Sequence, residues 1–406
     1  MSISIYNRVA IRGNLSMGSG GTDVNTESTM MANVAQLWDY FGTSVSLSSD
    51  GNSALVGAPT EEVDGDETGH VYFFIRSPGT FGPSVWQQMQ IIQPDDSQID
   101  DRFGWSVSMS TDGNTAIVGA YHKNPVTPGA AYIFTRSGDT WTQQEKIIAS
   151  DAEVSAKFGL ATSISSDGNT AVVGASRTSP SDTGAAYIFT RSGSAWTEQQ
   201  KIVGSAVIEG DQFGDFVSIS DDGNTVVSAS SKSAYVFARP ADVTTPGVWA
   251  EEGAMEEGGY IQSVSISATG DNIVVGNTDI ENTNGDLSGV ALIYTRSGTT
   301  WQLQQQVEAS NGVVNDQFGM SAGMSAAGDT IIIGAAYSTE VTYSGKVYIF
   351  TRTGSLWTQA KEILHSNLQD NDQFGYSVDM SADGSQIIVG ALGEDPGIGY
   401  VTTYTI

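Results

Sequence analysis

The sequence predicts an all-β fold, a seven-bladed β-propeller in which each blade is a four-stranded antiparallel sheet. Three observations predict it. A unit opened by Phe-Gly recurs about every 55 residues, each unit contains four strand patterns joined by turn residues, and the two ends of the chain complement each other. A lone four-stranded sheet cannot bury both of its apolar faces, whereas a ring of sheets buries each against its neighbours.

The first two strands of the unit are clearest over residues 103–120. Ser106 to Ser110 alternates small polar with apolar residues, which is the period of a half-buried strand. Asp112-Gly113 suits a hairpin turn, because such turns need a positive φ that glycine supplies freely. Thr115 to Val118 is then a β-branched and apolar run. Gly119-Ala120 ends this second strand, where another segment of the chain can approach closely.

The third and fourth strands follow over residues 130–136 and 141–148, and a Ser-Gly turn joins them. An arginine ends the third strand and a tryptophan opens the fourth in most units. Because these two residues keep the same place from unit to unit, we interpret them as structural, the tryptophans packing between blades. They are Arg76, Arg136, Arg191, Arg296 and Arg352, with Trp86, Trp141, Trp196, Trp301 and Trp357.

The first residues of each repeat unit give a count of seven units. Six are Phe-Gly pairs, which begin at Phe41, Phe103, Phe158, Phe213, Phe318 and Phe374. The seventh is degenerate: Tyr260-Ile261 takes the place of Phe-Gly, because the alternating run Ser263 to Ser267 follows it in register. Seven units of four strands indicate seven blades.

The two chain ends predict how the ring closes. The last unit has three strands, and residues 24–33 align with the fourth strand of the other units. We therefore expect 24–33 to be the outer strand of the last blade, which removes an exposed sheet edge. The propeller is then 24–406, and residues 1–23 form an N-terminal arm with a glycine-containing flexible joint. Residues 1–17 are either a frayed tail or added edge strand, or a docking arm for an assembly partner.

Composition excludes several classes of function. The formal net charge is −29, from 46 acidic and 17 basic residues. Such a chain repels polyanions, so we expect neither nucleic-acid binding nor membrane insertion. The absence of cysteine excludes disulfides, thiol catalysis and thiolate metal sites. No apolar run reaches transmembrane length, and residues 1–23 show no signal-peptide core.

The loops that vary between units are the expected recognition surface. Turns between strands one and two, and between three and four, hardly change, whereas the 2–3 and 4–1 loops vary and share the opposite face of a propeller. Most of these variable loops are acidic, and the second also holds a histidine and a lysine. The candidate ligand-binding residues are Glu61, Glu62, Asp64, Asp66, His122, Lys123, Asp279, Glu281 and Asp286.

The Phe-Gly opening, the Gly-Ala end of the second strand and the Tyr-Ile-Phe of the third resemble the FG-GAP repeat family over residues 24–406. Members include the propellers of integrin α subunits and repeats of bacterial and viral surface proteins. The resemblance implies extracellular recognition and adhesion, often with calcium. Integrin-like repeats bind calcium through an Asp-x-Asp-x-Asp-Gly loop, and each corresponding turn here has a single aspartate, such as Asp112. We therefore expect no cofactor; the residues left for calcium are Asp64, Asp66, Asp279 and Asp286.

Three functions stay open. The favoured one is a non-enzymatic recognition or adhesion module, displayed on an extracellular surface or a particle, that binds a protein or glycan receptor through the variable face. The second is a structural component of a large assembly such as a virion, tail fibre or appendage, docked by the N-terminal arm. The third, a hydrolase, has least support, because His70, His122 and His365 lie in different units and no carboxylate pair stands out.

Overall fold

The computed structural model describes residues 27–33, 39–60, 62–63, 66–77, 85–121, 128–178, 182–239, 248–256, 258–338, 343–367, 369–393 and 399–406. Within these ranges the chain forms thirty strands and no helix. Accordingly, the described residues offer no helical segment that could cross a bilayer.

Twenty-eight of the strands form seven four-stranded antiparallel sheets, and β4 and β5 form a small hairpin in a loop. The strands are β1 Glu27–Met30, β2 Ser44–Leu47, β3 Ser53–Ala58, β4 Glu62–Val63, β5 Asp66–Glu67, β6 His70–Ser77, β7 Val85–Ile92, β8 Ser106–Met109, β9 Thr115–Ala120, β10 Ala130–Ser137, β11 Thr140–Ile147, β12 Phe158–Ile164, β13 Thr170–Ala175, β14 Ala185–Ser192, β15 Ala195–Ile202, β16 Phe216–Ile219, β17 Thr225–Ala229, β18 Ser233–Ala238, β19 Ala250–Glu256, β20 Ile261–Ile266, β21 Asn272–Asn277, β22 Val290–Ser297, β23 Thr300–Val307, β24 Phe318–Met324, β25 Thr330–Ala335, β26 Lys346–Thr353, β27 Leu356–Ile363, β28 Ser377–Met380, β29 Gln386–Ala391 and β30 Tyr400–Thr405.

Each blade runs from an inner strand at the axis to an outer strand at the rim. Blade one is β2, β3, β6 and β7, and blades two to six follow in chain order as β8–β11, β12–β15, β16–β19, β20–β23 and β24–β27. Blade seven is β28, β29, β30 and β1. The seven-bladed propeller predicted from the repeat is thereby confirmed, including the degenerate unit at Tyr260-Ile261, which forms blade five.

The ring closes through strand pairing between the two chain ends, as predicted. β1 pairs antiparallel with β30, and Thr29 lies opposite Thr402. A carboxylate of β1 also contacts the loop between blades six and seven: Glu27 accepts a hydrogen bond from Ser366 Oγ at 2.7 Å and lies 3.1 Å from His365 Nε2. Burial alone would raise the pKa of Glu27, but the hydrogen bonds from His365 and Ser366 outweigh it and lower the pKa. The N-terminal arm, residues 1–23, lies outside the described residues.

Adjacent blades meet at a pair of glycines, and this contact explains the Phe-Gly and Gly-Ala repeats. A Cβ added to the Gly-Ala glycine of one blade would lie only 1.9–2.2 Å from the carbonyl oxygen of the Phe-Gly glycine of the next blade. Only glycine permits that approach. The pairs are Gly57 with Gly104, Gly119 with Gly159, Gly174 with Gly214, Gly276 with Gly319, Gly334 with Gly375 and, across the ring closure, Gly390 with Gly42.

Hydroxyl groups of the inner strands bind the same carbonyl oxygens. Ser44 Oγ donates to the Gly104 carbonyl at 2.8 Å, and across the ring closure Ser377 Oγ donates to the Gly42 carbonyl at 2.7 Å. Five of the six carbonyls are held in this way by a serine of the preceding blade, so the alternating serines of the sequence have a bonding role besides setting the strand period.

The Phe-Gly phenylalanines anchor the cores, which lie between blades. Phe103 is fully buried and meets Tyr132 and Phe134 of its own blade edge-on, at ring-centroid distances of 5.7 and 5.8 Å. The same core includes Leu55 and Phe73 of blade one. Because each core is shared by two blades, a blade cannot bury its apolar surface without a neighbour.

The turns between strands one and two form a belt of backbone hydrogen bonds at the opposite end of the inner strands from the Phe-Gly pairs. In five of the seven turns the aspartate accepts from a serine hydroxyl and from a backbone N–H, as Asp112 does from Ser110 and Asn114. Between blades, six N–H groups donate to the next turn. The bonds are Ser49 to Thr111, Thr111 to Ser166, Ser166 to Asp221, Ala268 to Ala326, Ala326 to Ala382 and Ala382 to Ser49.

The repeated arginine and tryptophan make contacts between adjacent blades near the outer strands. A β-bulge leaves Gln144 of β11 unpaired in the ladder, and its side-chain oxygen accepts from Trp196 Nε1 of the next blade at 3.1 Å. Arg136 lies over the Trp141 ring at 5.8 Å and donates to Ser53 Oγ of the preceding blade at 2.9 Å. These contacts support the structural interpretation of the two residues.

The junction between blades four and five departs from this pattern. Ser228 stands where other blades have the Gly-Ala glycine, and Ile261 replaces the facing glycine. Ser228 Oγ is buried and has no hydrogen-bond partner among the described residues. The described residues also show no belt bond between Asp221 and Ala268. Phe216 packs against the core that contains Ile261. Polar contacts also cross this junction: the Ile261 N–H donates to the Ser231 carbonyl at 3.0 Å, and Arg296 Nη2 lies 2.6 Å from Glu252 Oε1.

We expect Gly119→Ala to lower the free energy of unfolding by more than about 3 kcal/mol, because its Cβ would overlap the Gly159 carbonyl, a backbone atom that cannot move aside without shifting a blade. Gly253→Ala is the matched control: Gly253 also lies in a strand, but the nearest atom to an added Cβ is Trp301 Cδ1 at 3.7 Å. Urea denaturation of both variants tests this, and equal stability of the two would contradict it.

We expect a chain that begins at residue 34 to lose the cooperative thermal transition, because removal of β1 exposes the β30 edge and breaks the Glu27–His365 contact. A chain that begins at residue 24 keeps β1 and serves as the control. Far-ultraviolet circular dichroism melts of both chains give the measurement. Wild-type melting of the shorter chain would show that ring closure contributes nothing to stability.

Candidate recognition site at the channel mouth

A central channel runs between the seven inner strands and opens into two chambers. The larger, of about 450 Å³, is lined by residues that directly follow the Phe-Gly pairs, such as Thr43 and Trp105, and so lies at the face of the 4–1 loops. The smaller, of about 170 Å³, lies at the belt end and is lined by turn residues such as Ser49 and Thr111. We call the larger chamber the channel mouth.

The residues before the Phe-Gly pairs share a left-handed conformation, and two of them, Lys157 and Gln212, line the channel mouth. The residue before each Phe-Gly phenylalanine has a φ between 50 and 58°, although none of the six is glycine. A non-glycine residue pays about 1–2 kcal/mol for this conformation. Side chains are therefore kept at these positions in spite of a conformational cost, which is frequent at functional sites. The six are Tyr40, Arg102, Lys157, Gln212, Gln317 and Gln373.

Two of these residues are basic, and they join an aromatic pair. Arg102 Nη1 donates to the Tyr121 hydroxyl at 3.2 Å. Its guanidinium carbon lies 6.0 Å from the Trp105 ring centre, and the Trp105 and Tyr121 rings meet edge-on at 4.8 Å. Lys157 Nζ of the next blade lies 5.7 Å from the Tyr121 ring centre. Cations and aromatic faces from two blades thus meet at one side of the mouth.

The pKa shifts show that a third cation and one carboxylate belong to the same cluster. Burial lowers the pKa of Lys157, and the positive charges of Arg177 and Arg102 lower it further against the opposing effect of Asp215 and Asp182. Burial raises the pKa of Asp215, although Lys157 and Arg177 act in the other direction. Lys157 and Arg177 therefore lie beside Asp215, whose ionisation is disfavoured, and Arg102 lies beside Lys157; we call Arg102, Lys157 and Arg177 the basic cluster.

The basic cluster has no salt bridge within the described part of the chain. The ion pairs found there involve other cations, namely Lys146, Lys201, Arg296, Lys346 and His365. In a chain of net charge −29, three cations near two carboxylates, Asp215 and Asp182, form a local excess of positive charge.

The rest of the mouth presents aromatic, amide and hydroxyl groups. Tyr260, Tyr376, Gln212 and Gln262 line it. Burial raises the pKa of Tyr376 to about 12, and the neighbouring tyrosines Tyr337, Tyr121 and Tyr40 add to the shift. The wall thus combines flat apolar faces with neutral hydrogen-bonding groups, a composition typical of small-molecule sites.

The residues predicted from sequence lie elsewhere. Glu61, Asp64, His122 and Lys123 fall outside the described residues, and the backbones of Glu62 and Asp66 belong to the β4–β5 hairpin. Asp279 and Glu281 are exposed, and Asp286 is half-buried in a loop held by the Asn282 side chain, which accepts from the N–H groups of Asn284 and Asp286. No group of three or more histidine, aspartate or glutamate side chains suited to a metal occurs within the described ranges. The ligand and calcium roles of these residues stay predictions.

Two carboxylates line the belt-end chamber, Asp221 and Asp379, and burial raises the pKa of both. Asp379 Oδ2 accepts from the Leu47 N–H of blade one at 2.7 Å, and Oδ1 accepts from its neighbour Met380 N–H at 2.8 Å. Burial nevertheless raises its pKa to about 6. At the same position Ser108 Oγ of blade two accepts from the Ile164 N–H of blade three at 3.2 Å. A carboxylate thus makes an inter-blade bond that a serine makes elsewhere in the ring.

Comparison with known proteins identifies the repeat. The sequence model of the family described as FG-GAP repeat matches six segments of this chain. They are residues 24–74, 86–134, 141–189, 196–237, 301–350 and 357–402. The unit that opens with Tyr260-Ile261 lies outside the matched segments. No curated protein matches the chain.

We expect Asp379→Ser to remove a pH-dependent part of the stability. Because the folded pKa of Asp379 is about 6 and its ordinary value is 3.8, protonated Asp379 favours the fold below pH 4, and that contribution is lost as the pH rises through 6. The free energy of unfolding of wild type minus that of the variant should therefore fall between pH 4 and 7. Urea denaturation at four pH values measures it, and a constant difference would contradict the assignment.

Proposed function

Because this chain belongs to the FG-GAP repeat family, we propose that it is a non-enzymatic recognition module that binds a glycan or protein receptor at the channel-mouth face. Propellers of this family are typically binding modules rather than catalysts, and the fold alone does not assign a ligand. The proposal therefore rests on the difference between the two faces of the ring.

The observation that supports the proposal is a difference between the two faces of the ring. At the belt end, the repeated side chains are engaged with the protein itself: turn aspartates such as Asp112 bind their own turn, and arginines such as Arg136 bind the preceding blade. At the mouth, the residues beside the Phe-Gly pairs differ from blade to blade and line a cavity. Variation on a repeated scaffold is where recognition is expected.

The histidines of the described residues support a binding role over hydrolysis. His365 is committed to ring closure, since its Nε2 lies 3.1 Å from Glu27. His70 is buried at the start of β6. Neither lines the mouth, and a general base must reach the group it deprotonates.

Display on an extracellular surface or a particle is part of the same proposal, and the position of β1 favours attachment through the N-terminal arm. β1 is the outermost strand of blade seven, so the chain enters the ring at its rim rather than at its axis. An assembly partner bound to residues 1–17 would leave the channel mouth free. A structural role in a large assembly and receptor recognition are therefore compatible.

Binding of the labelled protein to a printed glycan array and to intact cells tests the proposal. We expect Met320→Trp to weaken binding at least tenfold, because Met320 lines the mouth and a tryptophan there would fill it whatever the charge of the ligand. Thr299→Trp places the same bulk on an exposed turn at the belt end and should leave binding unchanged. Equal binding by both variants would contradict recognition at the mouth.

A further inference from the structure

We infer that the basic cluster receives the carboxylate of an acidic sugar, so that the ligand at the channel mouth is the end of a glycan that carries a sugar acid. This inference rests on the proposed function and narrows it to one class of ligand. It depends on three features of the mouth: a local excess of positive charge, a preorganised guanidinium, and a wall suited to a hydroxylated ring.

The charge distribution is the first feature. Several cations elsewhere in the described chain have partners: Lys201 binds Asp151, Arg296 binds Glu252, and arginines such as Arg239 lie over tryptophan rings. Arg102, Lys157 and Arg177 instead repel one another, as their mutual effect on the pKa of Lys157 shows. A bound anion would remove that repulsion, and a single carboxylate is sufficient for it.

The fixed position of Arg102 is the second feature. The Tyr121 hydroxyl and the ring of Trp105 hold its guanidinium in place, while its buried Nε–H finds no acceptor within the described residues. Nη1 is the group that binds Tyr121, and Nη2 makes no hydrogen bond within the described residues, so Nη2 is available to a ligand with little loss of side-chain entropy. Arginine recognises carboxylates through paired hydrogen bonds, and a pre-positioned fork favours that geometry over a point charge.

The composition of the wall distinguishes a sugar acid from other anions. A cavity of about 450 Å³ is far larger than an inorganic ion and has room for one or two sugar rings. Trp105 and Tyr376 offer aromatic faces for the C–H groups of a ring, and Gln212 and Gln262 offer amides for its hydroxyls.

Asp215 supports the same ligand class. Half-buried in the mouth beside Lys157 and Arg177, it can accept a hydrogen bond from a sugar hydroxyl. A polyanion such as a sulfated glycan would be repelled by Asp215 and by the net charge of −29. A sugar acid has one carboxylate for the basic cluster and neutral hydroxyl groups for Asp215. It therefore complements both charges in the cavity.

Titration calorimetry with free monosaccharides tests the inference. We expect N-acetylneuraminic acid or glucuronic acid to bind at least tenfold more tightly than N-acetylglucosamine or glucose, and binding to weaken with added salt. Arg102→Gln and Lys157→Gln should each weaken acid binding at least tenfold. Lys232→Gln removes an equal charge from an exposed loop of the same face and should leave binding unchanged. Thermal melts establish that each variant is folded.

Three outcomes would overturn the inference. The first is that the neutral sugars bind as tightly as the acids. The second is that the Arg102→Gln and Lys157→Gln variants bind the acids with the same affinity as the Lys232→Gln variant. The third is that neither acid shows measurable binding. Acetate and a short peptide with a free C-terminal carboxylate are included as further probes; if the peptide binds and the sugar acids do not, the ligand is a peptide and the inference fails. In each of these cases, loss of array or cell binding in Met320→Trp would still uphold the broader proposal.

Discussion

The contact between two glycines of adjacent blades is the constraint on which this ring depends. The carbonyl oxygen of each Phe-Gly glycine lies against the α-carbon of the preceding Gly-Ala glycine, at a distance that no Cβ permits. Serine hydroxyls such as Ser44 Oγ bind the same oxygens. Together these contacts set the spacing of the inner strands, and the spacing sets the width of the channel.

The same contact determines where the chain can vary. Phe-Gly is fixed by packing, so change is confined to the residues on either side of it, which face the channel mouth. In blade two these are Arg102 and Trp105, and in blade three they include Lys157. A motif that builds the ring thus also places its flanking side chains around one cavity. The residues that pack the ring are therefore direct neighbours in sequence of the residues that we propose for recognition.

The sequence predicted the fold in detail and the site hardly at all. Local patterns repeated seven times reveal the blades, and the aligned segment 24–33 reveals the closure, because both are properties of adjacent residues. The basic cluster is different: Arg102, Lys157 and Arg177 come from two blades, and their meeting depends on left-handed backbone at two of them. The one local signal was a basic residue before Phe-Gly in two consecutive blades. The sequence analysis indicated the acidic loops because a high density of charge can be read from a sequence. The approach of side chains from different blades cannot.

The junction of blades four and five gives the ring an uneven stiffness. Ser228 and Ile261 replace the glycine pair there, Phe216 replaces the serine, and within the described residues the backbone belt is interrupted between Asp221 and Ala268. Directional contacts remain elsewhere in this junction: the Ile261 N–H donates to the Ser231 carbonyl at 3.0 Å, and Arg296 Nη2 lies 2.6 Å from Glu252 Oε1 toward the rim. A tilt between these two blades would therefore widen the belt end of the channel more than the mouth, where the bond between Ser231 and Ile261 maintains the resting spacing.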